Sequence, residues 1–347
     1  MKLQRWLIFA NARVRAQWPS AVISHSSQLR GLNSSARSHY KHLEVLQDAN
    51  IDAFREGYFI PEQPALLPRR SFGDLPAFER WFHHSTTENT SQLNTEYLAA
   101  HGAEALVPLE LTQSQQSVSN SENIESSDPE LSFRKFHAPL SLFLRWIREA
   151  ESSSHAQSRL YLAQCQLLDL PQVLRDDFPT PPIVATAGKG DVYDTNIWIG
   201  YPPTYTPLHR DPNPNLFVQL AGHKTVRLLP PRAGQVVFSY VQGQLGRSGG
   251  REAATFRGEE MMQGRERALL EQAVWNNVKN ASGQAYEGFE AELEAGDGLF
   301  IPKGWWHSIK GMGESVTASV NWWFPVHITS HLVSAAAINN IKIVNLK

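Results

Sequence analysis

The feature that most constrains the fold is a series of short strand-like segments in the second half of the chain. From Asn196 onward, β-branched and aromatic residues form short runs that are bounded by Gly and Pro. The runs cover residues 196–199, 216–220, 225–229, 298–301 and 316–323. Short runs with this punctuation are typical of an antiparallel β domain. The sequence therefore predicts a mainly β fold, with residues 232–293 as an insertion between two barrel strands.

The N-terminal flank, residues 44–158, carries two helical patterns separated by a polar stretch. One pattern lies beside Pro76 and the other follows Pro139, and proline suits the first turn of a helix. The apolar positions with helical spacing are Leu75, Phe78 and Phe82 in the first pattern, and Leu140, Phe143, Leu144 and Ile147 in the second. Residues 113–128 are almost all polar, which predicts a disordered loop.

The two ends of the chain carry separate signals. Residues 1–43 contain seven basic side chains, seven serines and no acidic residue, which indicates either a mitochondrial transit segment or a disordered N-terminus. If residues 1–43 are not a transit segment, we expect a cytoplasmic or nuclear location. Residues 328–341 show a weak helical period, so we expect a short C-terminal helix or tail over residues 328–347. This segment could pack on the core or form a homodimer contact.

Composition excludes several classes of protein. The single cysteine, Cys165, cannot form a disulfide within the chain, and no apolar run reaches the ~20 residues that a membrane helix needs. The net charge of −2 provides no general positive field for nucleic acid or an anionic membrane. We therefore expect a protein of a reducing compartment with no nucleic-acid or membrane partner.

A candidate metal site comes from His209, Asp211 and His307. Residues i and i+2 of an extended segment point to the same side, so His209 and Asp211 can face one point. His307 follows the strand-like run 298–301 and a turn, and it can supply a third ligand. Two imidazoles and one carboxylate leave open positions for a cosubstrate and O₂, as in non-haem Fe(II) enzymes. The alternative is that Asp211 only orients a surface imidazole.

Lys224 is a candidate anion-binding residue. Alternation places it on the same face as Val226 and Leu228, and no acidic residue lies close in sequence. A buried ammonium needs a partner, and a dicarboxylate cosubstrate would supply one. Alternatively, Lys224 lies at the frayed start of its strand and reaches solvent. A polar row on the last strand faces either a liganded cavity or solvent; its members are Thr317, Ser319 and Asn321.

With these residues in this order, the chain resembles the JmjC-type, cupin-like oxygenases that depend on Fe(II) and 2-oxoglutarate. The resemblance covers residues 159–324, and over 206–231 and 296–307 the chain is similar to the asparaginyl hydroxylase of hypoxia-inducible factor. It implies a double-stranded β-helix, which is a jelly-roll, cupin-like barrel, with flanking N-terminal helices and a catalytic domain over residues 159–327.

The resemblance also implies a role for each matched residue. His209, Asp211 and His307 would bind Fe(II), and Lys224 would pair with the distal carboxylate of 2-oxoglutarate. Matched positions with further cosubstrate contacts are Tyr161 and Thr206, and those near the metal-bound end are Asn215 and Asn321. One departure concerns the substrate: the hydroxylase has a glutamine where this chain has Ala163.

The implied activity is hydroxylation of a C–H bond of a protein or small molecule, with O₂ consumed and succinate and CO₂ released. One alternative is a JmjC histone or protein lysine demethylase, although the chain lacks the Cys/His zinc modules that accompany chromatin reading. A second alternative is a catalytically silent, cupin-like binding module. A third is a cupin dioxygenase or isomerase that needs no 2-oxoglutarate.

Overall fold

The computed structural model describes residues 40–47, 50–85, 90–114, 131–152, 158–188, 192–250, 254, 258–276 and 287–324. The strands are β1 Tyr40–His42, β2 Ala65–Leu67, β3 Phe82–Ser85, β4 Thr90–Leu93, β5 Leu106–Ser114, β6 Leu131–Pro139, β7 Ser158–Gln166, β8 Asp194–Gly200, β9 Thr204–Arg210, β10 Asn215–Ala221, β11 His223–Leu229, β12 Gly288–Leu293, β13 Gly298–Ile301, β14 Trp306–Met312 and β15 Thr317–Trp323. The α-helices are α1 Ile51–Phe54, α2 Ala77–Arg80, α3 Thr95–Gly102, α4 Leu140–Ser152, α5 Gln172–Arg175, α6 Pro182–Ala187, α7 Pro231–Gln244 and α8 Gly264–Trp275.

The strands β8 to β15 form the double-stranded β-helix that the sequence predicts. β9, β14, β11 and β12 lie in one sheet, and β8, β15, β10 and β13 lie in the other. All the pairings among these eight strands are antiparallel. The predicted mainly β, jelly-roll architecture is therefore confirmed, and each of the five predicted strand-like runs overlaps an observed strand.

The barrel is packed on both outer surfaces. Helices α3 to α6 cover the larger sheet, where Leu98, Phe143 and Leu174 belong to one buried cluster with strand residues such as Val320. The insertion helices α7 and α8 cover the smaller sheet through a second cluster. A third cluster includes Phe217 and Ile301, which also line the cavity described below.

Three strands that precede the barrel in the chain extend the larger sheet beyond it. β7 pairs with β8, β5 pairs with β7, and β6 pairs with β5, all antiparallel. The sheet therefore runs without a break across residue 159, and the same sheet contains strands from the flank and from the barrel. This continuity matters for the site, because the added strands lengthen one wall of the cavity.

Two local predictions need correction. The first helical pattern is only the four-residue α2, and Phe82 begins strand β3 instead of continuing the helix; its backbone pairs with Leu93 of β4. Residues 288–293 are not part of the insertion, because they form β12 and pair with β11 in the barrel. The second helical pattern is confirmed as α4, in which all four predicted apolar residues are buried.

Some predictions fall wholly or partly outside the described residues. In the segment 1–43, Tyr40–His42 form β1, which pairs in parallel with β12, whereas residues 1–39 lie outside the described part. Residues 115–128 of the expected loop and the C-terminal segment 328–347 also lie outside it, while Gln113 and Ser114 belong to β5. The transit segment, mitochondrial location and homodimer therefore stay predictions. Within the described ranges, no helix has the length and apolar character needed to cross a membrane.

Candidate metal centre

The structure brings His209, Asp211 and His307 together at the open end of the barrel. His209 on β9 lies directly opposite His307 on β14, and their ring centroids are 4.2 Å apart. Asp211 follows β9, and its Oδ2 lies 3.8 Å from Nε2 of His307. One ligand atom from each of the three residues can be chosen so that all lie within 4.8 Å of one another. The three side chains can therefore share one metal ion.

The alternation of the two strands explains why both imidazoles point inward. Their neighbours Leu208 and Trp306 are buried on the outer face, in the cluster formed with the insertion helices. Gly234 of α7 lets the helix lie against the Trp306 ring, because a Cβ at residue 234 would overlap that ring. Packing on the outside of the sheet thus fixes the ligands on the inside.

Backbone carbonyls set the ring orientation of both histidines. Nδ1 of His209 donates to the Pro207 carbonyl at 2.8 Å, and Nδ1 of His307 donates to the Trp305 carbonyl at 3.2 Å. A carbonyl can only accept, so each ring carries its proton on Nδ1 and presents the Nε2 lone pair. Such partners are typical of metal-binding histidines, since they fix both tautomer and direction.

Asp211 is oriented by two further donors. Its Oδ2 accepts hydrogen bonds from Asn215 Nδ2 at 3.1 Å and from Trp323 Nε1 at 3.2 Å. Asn321 continues this network, because its Nδ2 donates to Asn215 Oδ1 at 3.0 Å. The resemblance had placed both asparagines near the metal-bound end, but the sequence predicts no role toward the metal for Trp323.

The centre favours the metal-binding protonation states. Burial opposes charge on Asp211, but the facing histidines and its two hydrogen-bond donors together lower the pKa of that carboxyl. Burial, followed by the nearby His209, lowers the pKa of His307, although Asp211 acts in the opposite direction. A carboxylate beside neutral imidazoles is the form that binds a divalent cation.

A glycine in the left-handed region holds the two ligand segments together. Gly304 precedes β14 and has a φ of +75°. Its N–H donates to the Asp211 carbonyl at 3.2 Å, which joins the turn after β13 to the segment after β9. Nothing lies within 4 Å of a Cβ built at Gly304, so backbone conformation, and not space, favours glycine here.

Lys224 points into the same cavity and does not reach solvent. It is 3% exposed, its Nζ donates to Ser319 Oγ at 2.8 Å, and it lies 5.3 Å from the centre of the Phe217 ring. Burial lowers the pKa of Lys224 to about 7. Within the described residues it has no acidic partner. A buried ammonium without a carboxylate partner suits an anionic ligand.

The remaining predicted residues line this cavity as well. They are Tyr161 on β7, Thr206 on β9, Asn215 on β10 and Asn321 on β15. Ser319 lines the cavity beside Asn321, and Thr317 of the same strand is fully buried. The polar face of the last strand therefore points into the barrel.

Gly200 makes room for Tyr161, because a Cβ at residue 200 would overlap the phenol ring. Burial and the charge of Glu110 raise the pKa of Tyr161.

The cavity has a volume of about 830 Å³ and extends from Lys224 past the three candidate ligands. At its wall, β7 has a register irregularity between Leu162 and Cys165, within which Gln164 adopts a φ of +53°. Because of this irregularity, Gln164 lines the cavity. Ala163 is fully buried and is not among the lining residues. Sequence spacing alone indicates Ala163 as the residue that faces the cavity. The bulge that places Gln164 there instead leaves no clear signal in the sequence.

Comparison with protein families shows the family to which the chain belongs. The family model described as "Cupin-like domain" matches residues 52–330, which is most of the chain. The chain belongs to the cupin-like family. Together with the JmjC proteins described next, this match confirms the predicted JmjC, cupin-like class of Fe(II)- and 2-oxoglutarate-dependent oxygenases.

Curated relatives of this cupin-like chain carry JmjC names. It is 27% identical over 286 residues to "Lysine-specific demethylase JMJ30" of Arabidopsis thaliana, which covers 82% of this chain and 55% of the relative. It is 30% identical to "JmjC domain-containing protein F" of Dictyostelium discoideum over 51% of this chain and 38% of the relative. It is 22% identical to "Lysine-specific demethylase 8" of Xenopus tropicalis over 79% of this chain and 51% of the relative. The cupin-like chain spans about half the length of the first and third of these relatives.

The residues of the cupin-like site fit the cofactor and cosubstrate of this family, Fe(II) and 2-oxoglutarate. Two imidazoles and a carboxylate without a thiolate match a non-haem iron centre and not a structural zinc site. Lys224, which has no acidic partner among the described residues, supplies a cation for a second carboxylate in the same cavity. The finer similarity to the asparaginyl hydroxylase of hypoxia-inducible factor stays a prediction.

Proposed function

We propose that this chain is an Fe(II)- and 2-oxoglutarate-dependent oxygenase that hydroxylates a C–H bond of a protein substrate and releases succinate and CO₂. The observation that carries the proposal is the joint placement of the His209, Asp211 and His307 side chains and the Lys224 ammonium in one cavity. A metal site alone would suit many cupin-like proteins. The buried ammonium adds the element that a dicarboxylate cosubstrate needs.

Each side chain has a defined task in this proposal. Iron and 2-oxoglutarate, when bound, would activate O₂, which is the oxidant, while the protein supplies geometry and charge. His209, Asp211 and His307 would hold the metal, and Asn215 and Trp323 keep the Asp211 carboxylate in one orientation. All three residues line the cavity, so a metal held by them would be within reach of a cosubstrate bound there.

The other end of the cosubstrate would contact Lys224. Its ammonium is held by Ser319, and Thr206 and Tyr161 line the same part of the site with hydroxyl groups that can donate to a carboxylate. At about 830 Å³ the cavity is in the upper part of the range of about 300–1,000 Å³ that is typical of ligand pockets. The volume supports a cosubstrate together with a side chain of a larger substrate.

Demethylation of a protein lysine is the second candidate. It is supported by the names of two relatives, which are lysine-specific demethylases. Both reactions begin with oxidation of a C–H bond, and in demethylation the oxidised N-methyl group then leaves as formaldehyde. The two candidates therefore share the metal centre and differ in the product.

The test is a turnover assay with the iron-loaded protein, 2-oxoglutarate and O₂. We expect succinate from the wild type and only background from Asp211→Ala, with Asp74→Ala as a control for loss of an exposed carboxylate. Equal background in the wild type and in Asp211→Ala would favour a silent binding module. An enzyme that needs no 2-oxoglutarate would keep its activity in Lys224→Met.

Product analysis separates the two reactions. Cell-derived proteins and a metabolite extract are incubated separately with the active enzyme and analysed by mass spectrometry. Hydroxylation adds one oxygen to the product, whereas demethylation removes one methyl group and yields formaldehyde. Modification of metabolites alone would contradict the proposed protein substrate.

A further inference from the structure

The pairing of β9 with β14 contains an irregularity beside the candidate metal ligands. His307 of β14 lies opposite His209 of β9. The next matched pair is Ile309 and Thr206, so β14 has one residue between the two pairs, Ser308, and β9 has two. Two residues opposite one form a β-bulge, which bends its strand and redirects the side chains on either side of it.

The bulge explains why Thr206 and His209 both line the cavity. The two residues are three positions apart, and in a regular strand an odd separation turns two side chains to opposite faces. Both nevertheless line the cavity, because the extra residue in β9 reverses the alternation between them. The bulge therefore sets the position of a candidate cosubstrate contact relative to a candidate metal ligand.

Two backbone carbonyls at the bulge accept hydrogen bonds from side chains. Ser308 Oγ donates to the Thr206 carbonyl at 2.8 Å, and Nδ1 of His209 donates to the Pro207 carbonyl at 2.8 Å. Ser308 is fully buried, and alternation along β14 places its side chain on the outer face of the sheet, next to the inward-facing His307. The serine hydroxyl thus holds the bulge from outside, on the side away from the cavity.

The last residue of the insertion helix α8 fixes the direction of this hydroxyl. Trp275 Nε1 donates to Ser308 Oγ at 2.9 Å. The guanidinium of Arg227 and the ammonium of Lys310 lie over the indole ring, 4.6 and 4.8 Å from its centroid, and hold it in place. An indole N–H can only donate, so the serine oxygen accepts from it, and the one hydroxyl proton is left for the Thr206 carbonyl.

We propose that Ser308 is a positioning residue for the metal and cosubstrate sites, and that Trp275 orients its hydroxyl group. The inference rests on the proposed function and adds two residues that do not line the cavity to the same site. The hydroxyl acts through the Thr206 carbonyl, because it holds the bulge of β9. The bulge in turn sets the spacing between the side chains of Thr206 and His209.

The experiment compares two variants that differ only in the hydroxyl group. Ser308→Thr keeps it, whereas Ser308→Val replaces it by a methyl group in a side chain of nearly the same shape. Isothermal titration calorimetry on the full chain measures the Kd of Mn(II), and then the Kd of 2-oxoglutarate at saturating Mn(II). Thr186→Val is the control, because it removes a hydroxyl hydrogen bond to the Pro182 carbonyl at a residue that does not line the cavity.

We expect both Kd values of Ser308→Val to exceed those of Ser308→Thr by about tenfold, in the range for groups that orient a metal ligand. Trp275→Phe keeps a ring and removes the N–H that orients the hydroxyl, so it should raise both Kd values by a smaller factor. Thr186→Val should bind both ligands like the wild type. If Ser308→Val does not fold, Trp275→Phe still decides the question, because it leaves both strands of the bulge unchanged.

Equal Kd values in Ser308→Thr and Ser308→Val would overturn the inference, even if the valine variant unfolds at a lower temperature, because the hydroxyl would then only stabilise the fold. A change in only one of the two Kd values would overturn the claim that the bulge positions both sites. Wild-type binding by Trp275→Phe would overturn the role of the indole. Failure of the proposed function has a different signature, because the wild type would then bind no 2-oxoglutarate at saturating Mn(II) or release no succinate when loaded with iron.

Discussion

The two ends of the cavity are built in different ways. At the metal end, His209 and Asp211 come from one short segment, and His307 pairs with His209 across adjacent strands. At the far end, Glu110 and Glu259 come from an added strand and from an insertion. Every candidate metal ligand takes part in a hydrogen bond, whereas neither carboxylate at the far end accepts one from a side chain among the described residues. The candidate metal ligands are therefore carried by the regular barrel, whereas its additions supply lining residues at the far end of the cavity.

The largest expected effect tests the metal end. Asp211→Ala removes a ligand and should weaken Fe(II) binding by about a thousandfold, since each tenfold corresponds to about 1.4 kcal/mol and a lost metal ligand costs several kcal/mol. Equilibrium dialysis with iron measures this directly. Asp74→Ala should bind iron like the wild type. Retention of iron by Asp211→Ala would show that the three residues do not form the metal site.

The next effect concerns the candidate anion site at Lys224. Lys224→Met should raise the KM for 2-oxoglutarate by about a hundredfold, because the cosubstrate carboxylate would then be buried without a counter-ion. Iron affinity should stay unchanged, which separates this residue from the metal ligands. Lys41→Met, at an exposed lysine, is the matched control. A variant that loses iron and cosubstrate affinity together would indicate a structural role for Lys224.

A smaller effect tests the support of the metal ligands. Trp323→Phe keeps the ring and removes the N–H that Asp211 accepts, and iron affinity should fall about tenfold, in the range for groups that orient a metal ligand. Trp146→Phe removes an indole hydrogen bond to the Ser158 carbonyl, remote from the candidate metal ligands, and should not change iron affinity. Equal iron affinities in the two variants would mean that Asn215 alone orients Asp211.

The smallest effect is a pH dependence. The pKa of Lys224 is lowered to about 7 by burial, so the ammonium loses its proton as the pH rises above that value. A bound carboxylate raises this pKa, and binding above pH 7 must therefore take up a proton. The Kd of 2-oxoglutarate should rise by at most about tenfold per pH unit above 7. Lys224→Arg, which stays charged, should remove that rise.

The contrast between the ends also explains what could be predicted from the sequence. A strand has a period of two, so spacing alone predicts that His209 and Asp211 face the same side and that Lys224 shares a face with Val226 and Leu228. Only the structure shows that these side chains face the cavity and not solvent. The hydrogen-bond donors to Asp211 are harder to predict from the sequence. Asn215 lies only four residues away, but Trp323 belongs to another strand. Short-range patterns fix which way a side chain points, and only the folded chain brings distant strands together.

The additions to the barrel were the least predictable parts. Phe82 fits the helical spacing beside Pro76 but begins a strand, because pairing with β4 outweighs the local pattern. Gln164 enters the cavity through a bulge that no spacing rule predicts. The positions of Glu110 and Glu259 on the cavity wall could not be predicted from the sequence, because only the structure brings their segments to one cavity.

The most direct test of the central claim is an anaerobic titration of the full chain with Fe(II) and then 2-oxoglutarate. Chelation of ferrous iron by a 2-oxo acid produces a visible charge-transfer absorption that can be followed as binding proceeds. The account predicts one iron per chain, an absorption that appears with 2-oxoglutarate, no absorption in Asp211→Ala and a much higher 2-oxoglutarate requirement in Lys224→Met. An iron-loaded wild type whose spectrum does not respond to 2-oxoglutarate would contradict it.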